Sequence, residues 1–146
     1  RYMWILKRLV EMGVGKQDLI MVYQGRIRTH LERHAPLWHF SISQNLSNII
    51  EKVQKSCTFI ILGKAATGSY SQNLALLDLD TMFERREKLC KNFAKKSFKG
   101  PVHHKMFNWN DKRQTRSKRK VIVPPASTQR YNRSSITSLS RIINSL

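Results

Sequence analysis

The stretch SQNLSNIIEKVQKSCTFIILG, residues 43–63, decides the fold class. Leu46, Ile49, Ile50, Val53, Cys57, Ile60 and Ile61 recur at steps of three and four, which places them on one stripe of an α-helix. Ser43 stands where an N-cap hydroxyl accepts a first-turn N–H, and Gly63 stands where helices commonly end. The spacing therefore predicts a helix over 44–62 with a single core-facing stripe. The alternation a half-buried strand needs is absent.

Working outward, the same period recurs on both sides. Residues 2–12 carry Met3, Leu6, Leu9 and Val10 at helical spacing before Gly13 and Gly15. A second helix is predicted over 16–34, with Leu19, Ile20, Tyr23, Ile27 and Leu31 on its stripe, Asp18 near its positive end, and Pro36 as the stop or kink. Gly63 to Ser69 reads as a loop before a short helix near 70–77. Thr81 and Glu84 then form a T-x-x-E capping box that opens a helix over 82–98, closed by Gly100-Pro101. Met82, Arg86, Leu89, Cys90 and Phe93 lie along one side of it; Arg85, Lys88, Lys91, Lys95 and Lys99 lie opposite. The expected architecture is all-α, a small bundle of four to six helices over 1–107. A flexible, mostly disordered basic tail is expected over 108–146, where only Ile136, Leu139, Ile142, Ile143 and Leu146 suggest a terminal amphipathic turn or two.

The 146 residues hold 27 Lys and Arg against 9 Asp and Glu, a formal charge of +18. Residues 91–146 hold 14 basic side chains and one acid, Asp111. Such a balance argues against a well-behaved metabolic enzyme and for a polyanionic partner, nucleic acid first and an anionic membrane surface second. Two cysteines make no disulfide framework, so an intracellular compartment, nucleus or cytoplasm, is expected. No apolar run reaches the ~18 residues of a membrane span, so no membrane partner is expected. The first ten residues lack a signal-peptide cleavage site, and a start at Arg1 reads as a piece of a longer protein.

Residue types able to do chemistry are present but poorly arranged. His30 and His34 share an i,i+4 spacing that chelates metals from a helix face, with His39 and Glu32 near. His34 falls in the apolar stripe, however, which favours a partly buried, hydrogen-bonded role. His103 and His104 are adjacent and diverge on any helix. Cys57 and Cys90 occupy core-type positions without a positioned base. Asp78 and Asp80 are explained by helix entry ahead of Thr81 rather than by Mg²⁺. GKAATGS at 63–69 lacks the order of a phosphate-binding loop. No catalytic residue, metal site or cofactor is expected in this chain.

Cations remain. The row Arg85, Lys88, Lys91, Lys95 and Lys99, with Lys96 beside it, has the pitch to follow a phosphate backbone. Lys112 to Lys120, which includes Arg116, Arg119 and Lys120, reads as a nucleic-acid arm or nuclear-localisation patch. Arg130, Tyr131 and Arg133 set an aromatic between cations, an arrangement that can stack on an unpaired base.

Four segments in order, VYQGRIRTHLERHAPLWH (22–39), IEKVQKSCTFIILG (50–63), SYSQNLALLDLDTMFERREKLCKNFAKK (69–96) and RSKRKVIVPPASTQRYNRSSI (116–136), carry a resemblance spanning roughly residues 1–136. Together they resemble the region that follows the polymerase core in jockey-like non-LTR retrotransposon reverse transcriptases. His34, Leu37 and Ser127 depart from the usual pattern. The resemblance implies a helical thumb and C-terminal extension of an RNA-directed DNA polymerase, gripping the template–primer backbone without sequence readout. It implies Arg26, Arg28, Lys55, Arg85, Lys95, Lys96, Arg130 and Tyr131 as contact positions, and Trp38 as a packing anchor. Arg86 is expected to meet an acid such as Glu51 or Glu87. The palm, with its aspartates and magnesium, is absent from this chain, which on its own should be inactive. The implied partners are nucleic acid and the remainder of the reverse transcriptase. Two other readings are a stand-alone RNA- or DNA-binding protein and a decayed element remnant.

Overall fold

A computed structural model describes residues 2–99, 105–110 and 120–146. The chain is all-α, with α1 Tyr2–Glu11, α2 Lys16–Val22, a π-helical stretch Tyr23–Arg28, α3 Thr29–Glu32, α4 Ala35–Trp38, α5 Gln44–Leu62, α6 Tyr70–Leu76, α7 Met82–Lys99, α8 Gln129–Asn132 and α9 Ser135–Ser145. The helix count exceeds the expected four to six, because the second helix subdivides and residues beyond 120 also fold. Among the described residues the one β-type pairing is an isolated antiparallel bridge between Trp109 and Val121. The chain divides into two compact units, residues 1–33 with 43–85, and residues 34–42 with 86–146. This differs from the expected division at 107.

The first unit is built on α5. Ser43 caps it as predicted, its Oγ accepting the Leu46 N–H at 3.3 Å. The buried face is rotated from the predicted stripe, however. Leu46 and Ile49 are 52% and 47% exposed, while Ser47, Gln54 and Thr58 are buried. Polar residues take those places with part of their bonding capacity met: Gln54 Nε2 donates to the Asp80 carbonyl and Thr58 Oγ1 to the Lys55 carbonyl, both at 2.8 Å, while Gln54 Oε1 is buried without a partner. Cys57, Ile61 and Leu62 join Leu6, Leu19, Tyr23, Ile27, Leu74, Leu77 and Leu79 in one core.

Helix ends in this unit follow local chemistry. After α1, Gly13 adopts φ 77°, and the bonds Val14 N–H to Leu9 carbonyl and Gly13 N–H to Val10 carbonyl make a Schellman end. After α6, Asp78 takes the same left-handed place with φ 51°, and Leu79 N–H reaches the Leu74 carbonyl at 3.0 Å. Asp78 thus closes a helix, whereas its spacing from Thr81 predicts that it prepares one. The predicted second helix stops at Glu32. Arg33 (φ −53°, ψ 123°) and His34 (φ 55°, ψ 26°) have the angles of a type II turn, and Pro36 lies in the first turn of α4.

The capping box at α7 forms in full. Thr81 N–H donates to Glu84 Oε2 and Glu84 N–H to Thr81 Oγ1, each at 3.2 Å. Glu51 of α5 adds a second cap. Its carboxylate accepts the Phe83 N–H at 3.0 Å, the Met82 N–H at 3.3 Å and the Tyr70 hydroxyl at 2.9 Å.

The second unit has its own core of Cys90, Ala94, Phe107, Val121, Leu139 and Ile143, with Phe40, Phe93, Trp109 and Ile142 packed on it. Residues 120–146 are therefore not the mostly disordered tail that their polar composition suggests. Val121, Leu139 and Ile143 are buried, and the Asn144 side chain clamps the Val121 backbone, accepting its N–H and donating to its carbonyl at 2.9 Å each. Segment 34–42 belongs here: the Ser41 hydroxyl donates to the Arg133 carbonyl and that of Ser135 to the Leu37 carbonyl.

Glu51→Ala removes a carboxylate that serves three donors and is expected to lower stability by about 3 kcal/mol, with Glu51→Gln intermediate. The urea midpoints of the three proteins check this, and an unchanged midpoint for Glu51→Ala would contradict the capping role.

Candidate nucleic-acid interface

Charge divides unevenly between the units. The first holds 11 Lys and Arg with 7 Asp and Glu; the second holds 16 with 2, or +14. Acids that could neutralise cations are thus concentrated in the first unit, and Glu32 shows the result. Its Oε1 lies 2.9 Å from Arg85 Nε and 3.5 Å from Arg28 Nε, in a partly buried setting. Two of the predicted contact residues are therefore occupied in an internal ion-pair network, at lower cost than pairing with a distant phosphate. Arg26 on the π-helical stretch and Lys55 on α5 are both exposed, in keeping with surface positions on this unit.

In the second unit, α7 carries Lys88, Lys91, Lys95, Lys96 and Lys99, all exposed. Lys88, Lys91, Lys95 and Lys99 recur at three, four and four residues, so they form one row along the helix. The acid beside this row, Glu87, reaches Lys91 only at 3.8 Å, with both side chains exposed. The opposite side of α7 is closed: Arg86, Cys90, Ala94 and Ser97 are fully buried. The predicted division of the helix into core and basic faces holds, except that Arg85 leaves the row for Glu32.

The Arg86 guanidinium carbon sits 5.5 Å from the centre of the Trp38 ring, a cation–π contact, and the Glu51 carboxylate caps α7.

Beyond α7 the predicted contact residues fall into three groups. Arg130, Tyr131 and Arg133 are exposed on and just after α8, whose start is capped by Thr128 accepting the Tyr131 N–H. Lys120 places its ammonium 4.8 Å from the centre of the Phe98 ring. Arg116, Arg119 and the rest of the run 111–119 lie outside the described residues, as do Gly100-Pro101, His103 and His104. A feature that sequence spacing does not disclose adjoins Lys120: Phe98 and Trp109 pack with ring centres 5.7 Å apart, and Trp109 meets the buried Phe107 at 6.1 Å. Phe98 and Trp109 share no periodic pattern, so the fold, with its bridge between Trp109 and Val121, is what brings them together.

The histidines do not converge. His30 is exposed and stacks on Tyr2 at 4.9 Å, His34 is exposed in its turn, and His39 is buried against Phe40. His34 is thus not the partly buried member of an apolar stripe, because the helix ends before it. Among the described residues no three His, Cys, Asp or Glu side chains group to hold a metal, and no helix is long and apolar enough to cross a membrane. Cys57 and Cys90 are fully buried, and burial pushes both thiols up to about 11. No protein-family model, curated protein or solved structure matches the chain at a significant level.

A thiol raised from 9.0 to about 11 has roughly a hundredfold less thiolate, so both cysteines are expected to resist a disulfide reagent at pH 8 and to react fully in denaturant. Burial first, and the Arg86 guanidinium second, hold the His39 imidazole below its ordinary 6.5. The unfolded chain then binds the proton that the folded chain refuses, so stability is full above pH 6.5 and declines as pH falls below it. Melting temperatures across this range are expected to show that decline, and His39→Gln to flatten it.

Proposed function

We propose that this chain is the thumb and post-palm portion of a jockey-like non-LTR reverse transcriptase, and that it holds the template–primer duplex by its phosphate backbone. Two features support the reading. One is the ordered sequence resemblance over four segments between residues 22 and 136. The other, and the single structural observation that carries the binding role, is the exposed lysine row of α7 in a unit of net charge +14. A row recurring at about one turn gives charges roughly 5.4 Å apart along the axis, which suits successive phosphates and reads no base edges.

The mechanism is positioning. Lysines on a rigid helix, anchored from behind by Cys90 and Ala94 in the second core, present their charge without reorganising the backbone. Association neutralises phosphates and releases counterions, so affinity depends on salt more than on sequence. Phosphoryl transfer, and the magnesium that assists it, belong to palm residues outside this chain.

Binding of the 146-residue chain to duplex DNA across a salt series tests the proposal. Log affinity is expected to fall linearly with log salt. Replacing Lys91, Lys95 and Lys99 together by Ala is expected to reduce the slope by about 0.9 for each phosphate no longer neutralised. Arg85→Ala is expected to lower stability while leaving the slope nearly unchanged, because Glu32 already holds that guanidinium. A flat salt response of the unaltered chain overturns backbone binding.

A further inference from the structure

Phe98 and Trp109, beside Lys120, form an aromatic surface that backbone binding does not use. Phe98 follows Lys91 and Lys95 at helical spacing, so the α7 lysine row runs directly into the aromatic pair. With the Lys120 ammonium 4.8 Å from its ring centre, Phe98 is still 42% exposed. Trp109 lies beside it, tilted by 46°, and is itself anchored by Phe107 and by the bridge to Val121. An exposed aromatic normally sits against polar surroundings of mixed charge. Here the charged group set against the ring is the Lys120 ammonium, in a unit with 16 basic and 2 acidic side chains.

We propose that Phe98 and Trp109, with Lys120, form a stacking station for an unpaired nucleobase at the end of the lysine row. The ligand class is single-stranded nucleic acid continuous with a bound duplex, such as an overhang or a template strand. Three physical requirements are met together. Stacking needs a π-face held rigidly, and the anchoring of Trp109 supplies that support. The strand's phosphates need nearby cations, which Lys95, Lys99 and Lys120 provide. Selectivity for an unpaired base needs nothing further, since a paired base keeps its faces in the duplex stack. Every base has such a face, so the station is sequence-tolerant. An apolar peptide is the poorer occupant, because it would strip water from these cations without offering them charge.

The inference rests on the proposed nucleic-acid binding, and its test separates the two. The full chain is titrated with a blunt duplex and with the same duplex bearing a short single-stranded overhang. The overhang is expected to strengthen binding about fivefold to a hundredfold for one stacked base. Phe98→Leu, which keeps apolar volume and removes the π-face, is expected to abolish that increment and leave blunt-duplex affinity unchanged; Phe98→Trp is expected to retain it. A second measurement needs no variant: an overhang carrying 5-iodouracil is irradiated with the unaltered protein and the adduct mapped. Adducts at Phe98 or Trp109 support the station, whereas adducts confined to other exposed aromatics, Trp4 or Tyr131, overturn it. Equal affinity for both duplexes also overturns the station while leaving backbone binding intact. Absence of binding to either duplex overturns both.

Discussion

The Glu51 carboxylate is the contact on which the first unit depends. A helix N-terminus exposes backbone N–H groups that lose water on burial and need an acceptor. Glu51 provides one for two such groups of α7 and, in the same place, for the Tyr70 hydroxyl of α6. One side chain thus fixes the start of α7 and the orientation of α6 relative to α5. Its charge also suits the positive end of the helix dipole. The neighbouring Thr81–Glu84 box is local and would form in an isolated helix; Glu51 comes from 31 residues away and specifies tertiary structure.

Where the acids go explains where the cations are exposed. In the first unit Glu32 and Glu51 are both engaged in structure, Glu32 absorbing Arg28 and Arg85. In the second unit Glu87 lies beside a helix of lysines and reaches Lys91 at 3.8 Å with both side chains exposed. Buried Arg86 meets an aromatic ring, and the five lysines of α7 are exposed. Like-charge repulsion along such a row costs stability.

Helix existence was legible wherever chemistry was local. Ser43, Thr81 with Glu84, and the three-four spacing of α5 and α7 act within one or two turns, and the observed bounds Gln44–Leu62 and Met82–Lys99 follow them closely. What sequence spacing did not carry was contact at a distance. The burial of Gln54 goes with its bond to the Asp80 carbonyl 26 residues away, and Leu46 and Ile49 on the predicted stripe are exposed. Beyond residue 120 the terminal amphipathic pattern already marked Leu139 and Ile143, but the burial of Val121 and its clamp by Asn144, 23 residues away, were not readable from spacing. At the candidate interface the lysine row was readable from spacing, but the loss of Arg85 to Glu32 and the meeting of Phe98 with Trp109 each required the fold.

The π-helical stretch Tyr23–Arg28 resolves a mismatch of phase. Leu19, Tyr23, Ile27 and Leu31 recur at a strict period of four, and each such step overshoots an α-turn by about 40°. Over three steps a regular helix would carry Leu31 far around its axis from Leu19. A wider turn undershoots instead, and placing one in mid-helix cancels the drift, so that Leu19, Tyr23 and Ile27 stay buried with Leu31 packed against the same core. Thr29 supports the widened turn by donating its hydroxyl to the Gly25 carbonyl at 2.8 Å. The stretch works as a vernier, reconciling the spacing of the side chains with the pitch of the backbone that carries them.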